Sequence, residues 1–266
     1  MKPHRALVIR RAAPVRGILT DDRPSQDSEA ARHAQTRRLQ RCPLFRDVGV
    51  AQVQEVLESS GMRRVRKGGF YFRQGDRASE AYVLMRGRVK LVRIGSDMRR
   101  GILRFVTPLE PFGHEAALGG TARVSSAQAS EDSEALVWPA TTLVRIMASR
   151  PVIAHNSLRF LAGCVQEKWE RLHALLTESL EQRTVRALVV LGTRLGRTAD
   201  GGNAIELRLP RQDLAAFVGA TPYAMSRIVS RWRRRGVIDA GRGWVVIWPR
   251  RLATMVRAPG LLPGQR

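Results

Sequence analysis

Apolar positions follow three different spacings in turn along this chain. Between about residues 39 and 150 the apolar runs are short and rich in β formers. Gly69-Phe70-Tyr71-Phe72, residues 81–85, residues 88–93 and residues 101–106 read as strands. Gly75-Asp76, Arg86-Gly87 and Gly95-Ser96 separate them as turns. Short strands at this regular spacing predict a β-sandwich or β-roll. The stretch from 42 to 57 opens with a short helical piece that would pack beside it.

From 151 to about 181 the period becomes helical. Pro151 suits a first helical turn, where its missing N–H costs nothing. Leu158, Leu161, Val165, Trp169, Leu172, Leu176 and Leu180 then step by three or four residues. Such a seam needs an apolar surface to cover it. Its own β-roll and a second copy of the chain both qualify, with a two-helix dimer seam as the main use. Val185, Leu188, Val189 and Leu195 begin the core of a further domain.

The third pattern runs from 209 to 248. Thr221 is a good N-cap, and Pro222 fits the next position. Gly219 stands where a tight turn between two crossed helices wants a residue without Cβ. Met225, Ile228, Val229 and Trp232 recur at i, i+3, i+4, i+7 and would bury together. Tyr223, Ser226, Arg227, Ser230 and Arg234 fall on the opposite side. Two β-prone runs then flank Gly241-Arg242-Gly243 as a hairpin. The pattern is a winged helix-turn-helix, whose second helix enters a DNA major groove with its polar face leading. Arg242 at the wing tip would reach phosphate.

Composition supports a polyanionic partner. Lys plus Arg number 46 against 23 Asp plus Glu, a formal net charge of +23 over 266 residues. No apolar run reaches the length of a transmembrane helix, and the long helix mixes acidic and basic residues, so a membrane partner is not expected. Two separated cysteines, Cys42 and Cys164, form no disulfide framework and fit a reducing cytoplasm. Residues 1–38 are polar, Arg-rich and aperiodic, and read as a disordered basic arm. The expected division is the arm at 1–38, a β-roll at 39–150, a long helix at 151–181, a winged helix at 182–256 and a tail at 257–266. The fold class is α+β.

At Leu44-Phe45, Tyr71-Phe72-Arg73-Gln74-Gly75-Asp76, Tyr82-Val83-Leu84, Gly87-Arg88-Val89-Lys90-Leu91, Pro111-Phe112-Gly113 and Ser226-Arg227 the chain resembles the cyclic-AMP receptor / fumarate-nitrate regulator (CRP/FNR) superfamily of bacterial transcription factors. The resemblance covers roughly residues 41 to 250. It implies a homodimer with an effector-sensing, cyclic-nucleotide-binding-like β-roll, a dimerisation helix and a winged helix on double-stranded DNA. RNA polymerase is a further partner that it implies. By carry-over, Arg227 contacts a guanine and Arg211 a phosphate. The DNA-facing set is then Arg211, Thr221, Tyr223, Ser226, Arg227, Ser230, Arg231, Arg234 and Arg242. Pro222-Tyr223 stands where many members carry a base-reading Glu, so the half-site differs from the common one.

The resemblance also locates an effector pocket at Gly113, His114, Glu115, Arg123, Val124 and Ser125. Nucleotide-binding members have Gly-Glu here for the ribose and Arg-Ser about ten residues on for the phosphate. In this chain His114 replaces the Glu and Val124 the Ser, while Arg123 is kept. Cyclic AMP is therefore disfavoured and no cofactor is expected. A register shift that used Glu115 with Ser125 or Ser126 would restore it. Two cysteines are too few for an iron–sulfur centre. Haem would need His114 or Cys42 as an axial ligand. His155 and His173 lie too far apart along the helix for one metal, and Cys164 is a small seam hydrophobe or a redox switch. No enzyme motif is present. A general, architectural nucleic-acid-binding protein that senses nothing remains the competing reading.

Overall fold

The computed structural model describes residues 26–255. Helix α1 spans Gln26–Leu39, and a 3-10 turn at Pro43–Phe45 leads to α2 (Val50–Glu58). Strands β1 (Gly61–Val65), β2 (Phe70–Phe72), β3 (Glu80–Arg86), β4 (Val89–Ile94), β5 (Arg100–Val106) and β6 (Pro111–Phe112) follow. A short helix α3 (His114–Gly119) precedes β7 (Ser126–Ala129) and β8 (Ser133–Pro139). The eight strands form two antiparallel sheets, ordered β1-β8-β3-β6 and β2-β7-β4-β5, which face each other as a β-roll.

Residues 81–85 of β3 are all buried, because both faces of this strand are covered. Tyr82 and Leu84 point between the sheets with Tyr71, Phe112 and Val106. Val83 and Met85 point outward, into a helical layer with Phe45, Val53, Val56 and Trp138. That two-sided burial explains the unbroken apolar run. Helix α4 (Ala140–Ser149) and the start of α5 (Pro151–Thr177) complete this layer. Asn156 Nδ2 donates to the carbonyls of Leu44 (3.2 Å) and Arg46 (2.7 Å), which pins α5 to the roll.

The C-terminal part consists of α6 (Leu180–Leu195), β9 (Arg197–Ala199), β10 (Ala204–Leu207), α7 (Arg211–Val218), α8 (Pro222–Arg234), β11 (Ile238–Gly241), β12 (Trp244–Ile247) and α9 (Pro249–Ala253). A sheet ordered β11-β12-β10-β9 backs the helices. Val185, Leu188, Leu191, Leu214, Met225, Val229 and Trp232 form its core. Val92, Ile102 and Phe105 of the roll belong to the same apolar cluster, so the winged helix rests on the roll.

The structure differs from the sequence-based expectation in three places. The disordered arm expected to reach residue 38 is helical from Gln26 onward. Thr36 and Leu39 are buried there, and Arg38 donates to the Met85 carbonyl, so roll contacts order its end. Residues 1–25 and 256–266, with the rest of the arm and the tail, lie outside the described residues. The helix expected to run to 181 stops at Thr177, because Ser179 starts a new helix with a reciprocal capping box to Gln182. Leu180, expected on the dimer seam, therefore packs on the winged-helix core instead.

Candidate functional site: a winged helix and a roll cavity

Thr221 is the N-cap of α8, where its hydroxyl accepts from the Ala224 N–H at 3.2 Å, and Pro222 is the first helical residue. Gly219 turns the chain between α7 and α8 at φ 78°. Met225, Ile228, Val229 and Trp232 are buried. Burying that stripe leaves the other face of α8 to solvent. Tyr223 is 73% exposed, Arg227, Ser230 and Arg234 are exposed, and Ser226 is half-buried. The Arg227 guanidinium lies 5.9 Å from the Tyr223 ring centroid, so the two share one surface. Ser179 and Glu181 at the start of α6 face α8 across a shallow groove.

The remaining members of the expected DNA set are placed less uniformly. Arg231 is paired with Glu181, so its charge is already partly answered. Arg211 opens α7 half-buried, and its Nε makes no hydrogen bond. Arg242 is exposed in the turn between β11 and β12, where Gly241 pairs with Trp244.

The second site lies between the roll and α5. His114, Glu115, Val124 and Ser125 line a cavity of about 270 Å³ with Leu91, Leu103, Arg104, Phe160, Leu161 and Cys164. Arg123 does not line it. Its guanidinium donates to the carbonyls of Gly113 and Glu80 and stacks on Phe72 at 4.1 Å. Gly113 has φ 72°, and a Cβ there would sit 2.7 Å from Arg123 Nη1. The Gly-to-Arg spacing that suggested a phosphate anchor thus closes an internal brace. Val124 is exposed and Ser125 buried.

His114 is only 1% exposed, and neither ring nitrogen has a hydrogen-bond partner. Glu115 Oε2 stands 3.6 Å from Nδ1, beyond hydrogen-bond reach. Burial pushes the His114 pKa down to about 4, with Arg104 and Arg123 adding to the fall and Glu115 opposing it. The imidazole is therefore neutral near pH 7. Its ring lies 5.7 Å from Phe160.

Arg104, Phe160 and Cys164 had no role in the sequence-based reading of the pocket. Arg104 Nη1 approaches Cys164 Sγ at 3.2 Å and Nη2 donates to the Pro111 carbonyl at 2.7 Å. One available signal was an arginine in the middle of an otherwise β-prone run. Cys42 is buried in the helical layer, where its pKa is pushed up to about 12 by burial, so it shares no cavity with His114. Among the described residues no group of three His, Cys, Asp or Glu side chains is arranged to hold a metal. No helix among them is long and apolar enough to cross a membrane.

On α5, Leu158 (66% exposed), Val165, Trp169 (66%), Leu172 and Leu176 (77%) form an open apolar stripe. They are spaced by seven, four, three and four residues, which keeps them on one side of the helix. Leu161 is half-buried and turns toward the roll cavity, as Val165 does in part.

A β-roll, a cavity between it and a long helix, and a winged helix define a class of two-part proteins in which such a roll is joined to a DNA-binding module. Sequence comparison agrees in both halves. Residues 62–150 match the cyclic nucleotide-binding domain family, and residues 182–255 match the Crp-like helix-turn-helix domain family. The chain belongs to the CRP/FNR superfamily of transcription regulators. It is 29% identical over 205 residues to the cyclic AMP receptor protein of Thermus thermophilus, covering 77% of this chain and 92% of that protein. It is 26% identical over 192 residues to the CRP-like cAMP-activated global transcriptional regulator of Mycobacterium tuberculosis, covering 72% and 86%. The c-di-GMP responsive global regulator CLP of Xanthomonas campestris shares the fold at a TM-score of 0.67 and 20% identity, covering 75% of this chain and 99% of that one.

Proposed function

We propose that this transcription regulator acts as a homodimer on a pseudo-palindromic DNA site, with an effector pocket that has lost its fit to cyclic AMP. The observation that carries the DNA reading is the divided recognition helix. Four apolar residues hold α8 in place, and Tyr223, Ser226, Arg227, Ser230 and Arg234 lie opposite them. Arginine bidentate to guanine O6/N7 is the commonest specific base contact, and Arg227 is best situated for it. Arg242 supplies a backbone contact from the wing, and Arg211 one from the start of α7. Arg231 contributes less, since Glu181 holds it. The net charge of +23 supplies electrostatic capture of DNA.

The exposed stripe from Leu158 to Leu176 supports pairing with a second copy, because apolar side chains this open on a long helix call for a cover. Two such copies would set two recognition helices against successive major grooves. The reading assigns no catalytic step. RNA polymerase enters as the partner common to this family, and the cytoplasm as its place.

Footprinting tests the proposal against an architectural role, which the high charge alone would also suit. Protection of one palindrome, with two equivalent half-sites, is the expected result. Uniform coating of the DNA would overturn it. Calorimetry with cyclic AMP is expected to give no low-micromolar binding, since about 8 kcal/mol would have to come from a cavity that Arg123 does not line.

A further inference from the structure

No Phe, Trp or Tyr among the described residues is more exposed than Tyr223, at 73%. Packing gives no reason for an aromatic ring there, because the buried stripe of α8 is Met225, Ile228, Val229 and Trp232. Tyr223 is the second residue of α8, so it belongs to the turn that meets base edges when a recognition helix enters the major groove. The Thr221 cap and Pro222 fix the backbone at that point. The ring shares its surface with Arg227, whose guanidinium lies 5.9 Å from the ring centroid.

The chemistry of the side chain narrows what it can read. Its hydroxyl both donates and accepts, so it discriminates poorly among the polar groups on base edges. Its ring is apolar, and the apolar group displayed in the major groove is the C5-methyl of thymine. The neighbours Ser226, Arg227, Ser230 and Arg234 bring hydroxyls and guanidinium groups to the same face, which serve polar edges and phosphates instead. Arg227 stands one helical turn beyond Tyr223, about 6 Å along the axis. Successive base pairs are about 3.4 Å apart. The two side chains therefore reach positions within about two base pairs of each other.

We propose that Tyr223 is a specificity-determining residue that reads a thymine through its C5-methyl group, within about two base pairs of the guanine read by Arg227. This rests on the reading of α8 as the base-reading helix. The preference is for thymine over cytosine and over uracil, both of which lack the methyl group.

The test uses the full chain and the duplex it prefers in selection from a random library. Arg227→Ala identifies the guanine position as the one whose preference is lost. A thymine is expected within about two base pairs of it in each half-site. Replacing that thymine by uracil, which removes only the methyl group, should weaken binding about threefold to fivefold per half-site. Cytosine there should also bind more weakly, and 5-methylcytosine should recover part of the loss. Tyr223→Ala should bind the thymine and uracil duplexes equally, whereas Tyr223→Phe should keep the difference. Each comparison is a ratio within one protein, so a variant that folds less well does not imitate the result. Equal binding of thymine and uracil duplexes by the unaltered chain overturns the proposal, as does a difference that survives Tyr223→Ala. A Tyr223→Ala variant that loses affinity for every sequence alike also overturns it, and assigns the ring to the sugar–phosphate backbone. An Arg227-dependent guanine preference without a methyl effect defeats only the role of Tyr223. Absence of any base preference defeats the reading of α8 itself.

Discussion

Lys90 on β4 and Asp213 on α7 form a buried bidentate ion pair across the boundary between roll and winged helix. Lys90 Nζ lies 2.8 and 2.7 Å from the two carboxylate oxygens, and both side chains are nearly nine-tenths buried. Asp213 sits in the first turn of α7, where the helix dipole favours a negative charge. The contact around it is apolar, with Phe105 and Phe217 ring centroids 5.7 Å apart. Arg88 adds a hydrogen bond to the Arg208 carbonyl at 2.9 Å. The pair therefore joins the roll to the winged helix by a polar contact beside the apolar ones.

Cutting one side of this pair leaves a charge stranded in the interface. Lys90→Met is expected to destabilise the fold by about 3–5 kcal/mol. Lys90→Met combined with Asp213→Leu should recover much of that loss, because no charge is then left unpaired. Urea unfolding of both single variants and the double variant checks this. A double variant no more stable than the worse single one would show that the apolar contacts, not the charges, set the docking.

His114 gives a pH dependence of definite sign. Its folded pKa, about 4, lies below the ordinary value of 6.5. Between those values the unfolded chain holds the extra proton, so unfolding takes up a proton and stability falls as pH falls. The loss from pH 7 down to about pH 4 should approach about 3 kcal/mol from this residue. His114→Leu should remove that part of the slope while other groups keep theirs. Denaturation midpoints of the two proteins across this range provide the comparison, and parallel curves would assign the pH effect elsewhere.

Much of the winged helix could be read from the sequence because its local signals agree. Thr221, Pro222 and Gly219 each fit one position in helix-turn-helix geometry, and the burial stripe on α8 has a clean period. Strand β3 was equally plain, since two-sided burial makes a continuous apolar run. Strand β1 was hidden because it is an edge strand with Arg63 and Arg64 at its centre, paired only to β8. Strand β7 was hidden because its inward positions are Ala127 and Ala129, small residues with no β signal. The end of α5 was misread because Leu176 and Leu180 keep a four-residue step across the break. The capping box at Ser179 and Gln182 was the local sign that a new helix starts there. The pocket could be located but not resolved. Spacing indicated Arg123, but only three-dimensional burial shows its guanidinium turned onto carbonyls and Arg104 brought in from β5.

The proposed pairing through the apolar stripe on α5 would depend on single side chains. Leu172 lies near the middle of the stripe, exposed in the isolated chain. Leu172→Asp would place a carboxylate without a partner between two helices, at a desolvation cost of several kcal/mol. The variant is expected to sediment as a monomer at micromolar concentration and to keep its secondary structure. An unchanged dimer mass would move the interface away from α5.

The last prediction separates base reading from charge attraction. Arg227 lies on the open face of α8 beside Tyr223, and Arg242 lies in the wing turn. Arg227→Ala should cost about 1–3 kcal/mol per half-site and relax the preference at one base position. Arg242→Ala should weaken binding to every sequence alike and lower the salt slope by about one unit for each phosphate it no longer neutralises. Two copies in a dimer should make both effects symmetric between half-sites. Affinities for a library of site variants at two salt concentrations measure both quantities together. The roles diverge physically because a phosphate looks the same at every base pair, whereas guanine O6/N7 does not. If Arg227→Ala leaves the base preference intact and changes only the salt slope, α8 binds the backbone, and the charge-driven architectural role becomes the better account.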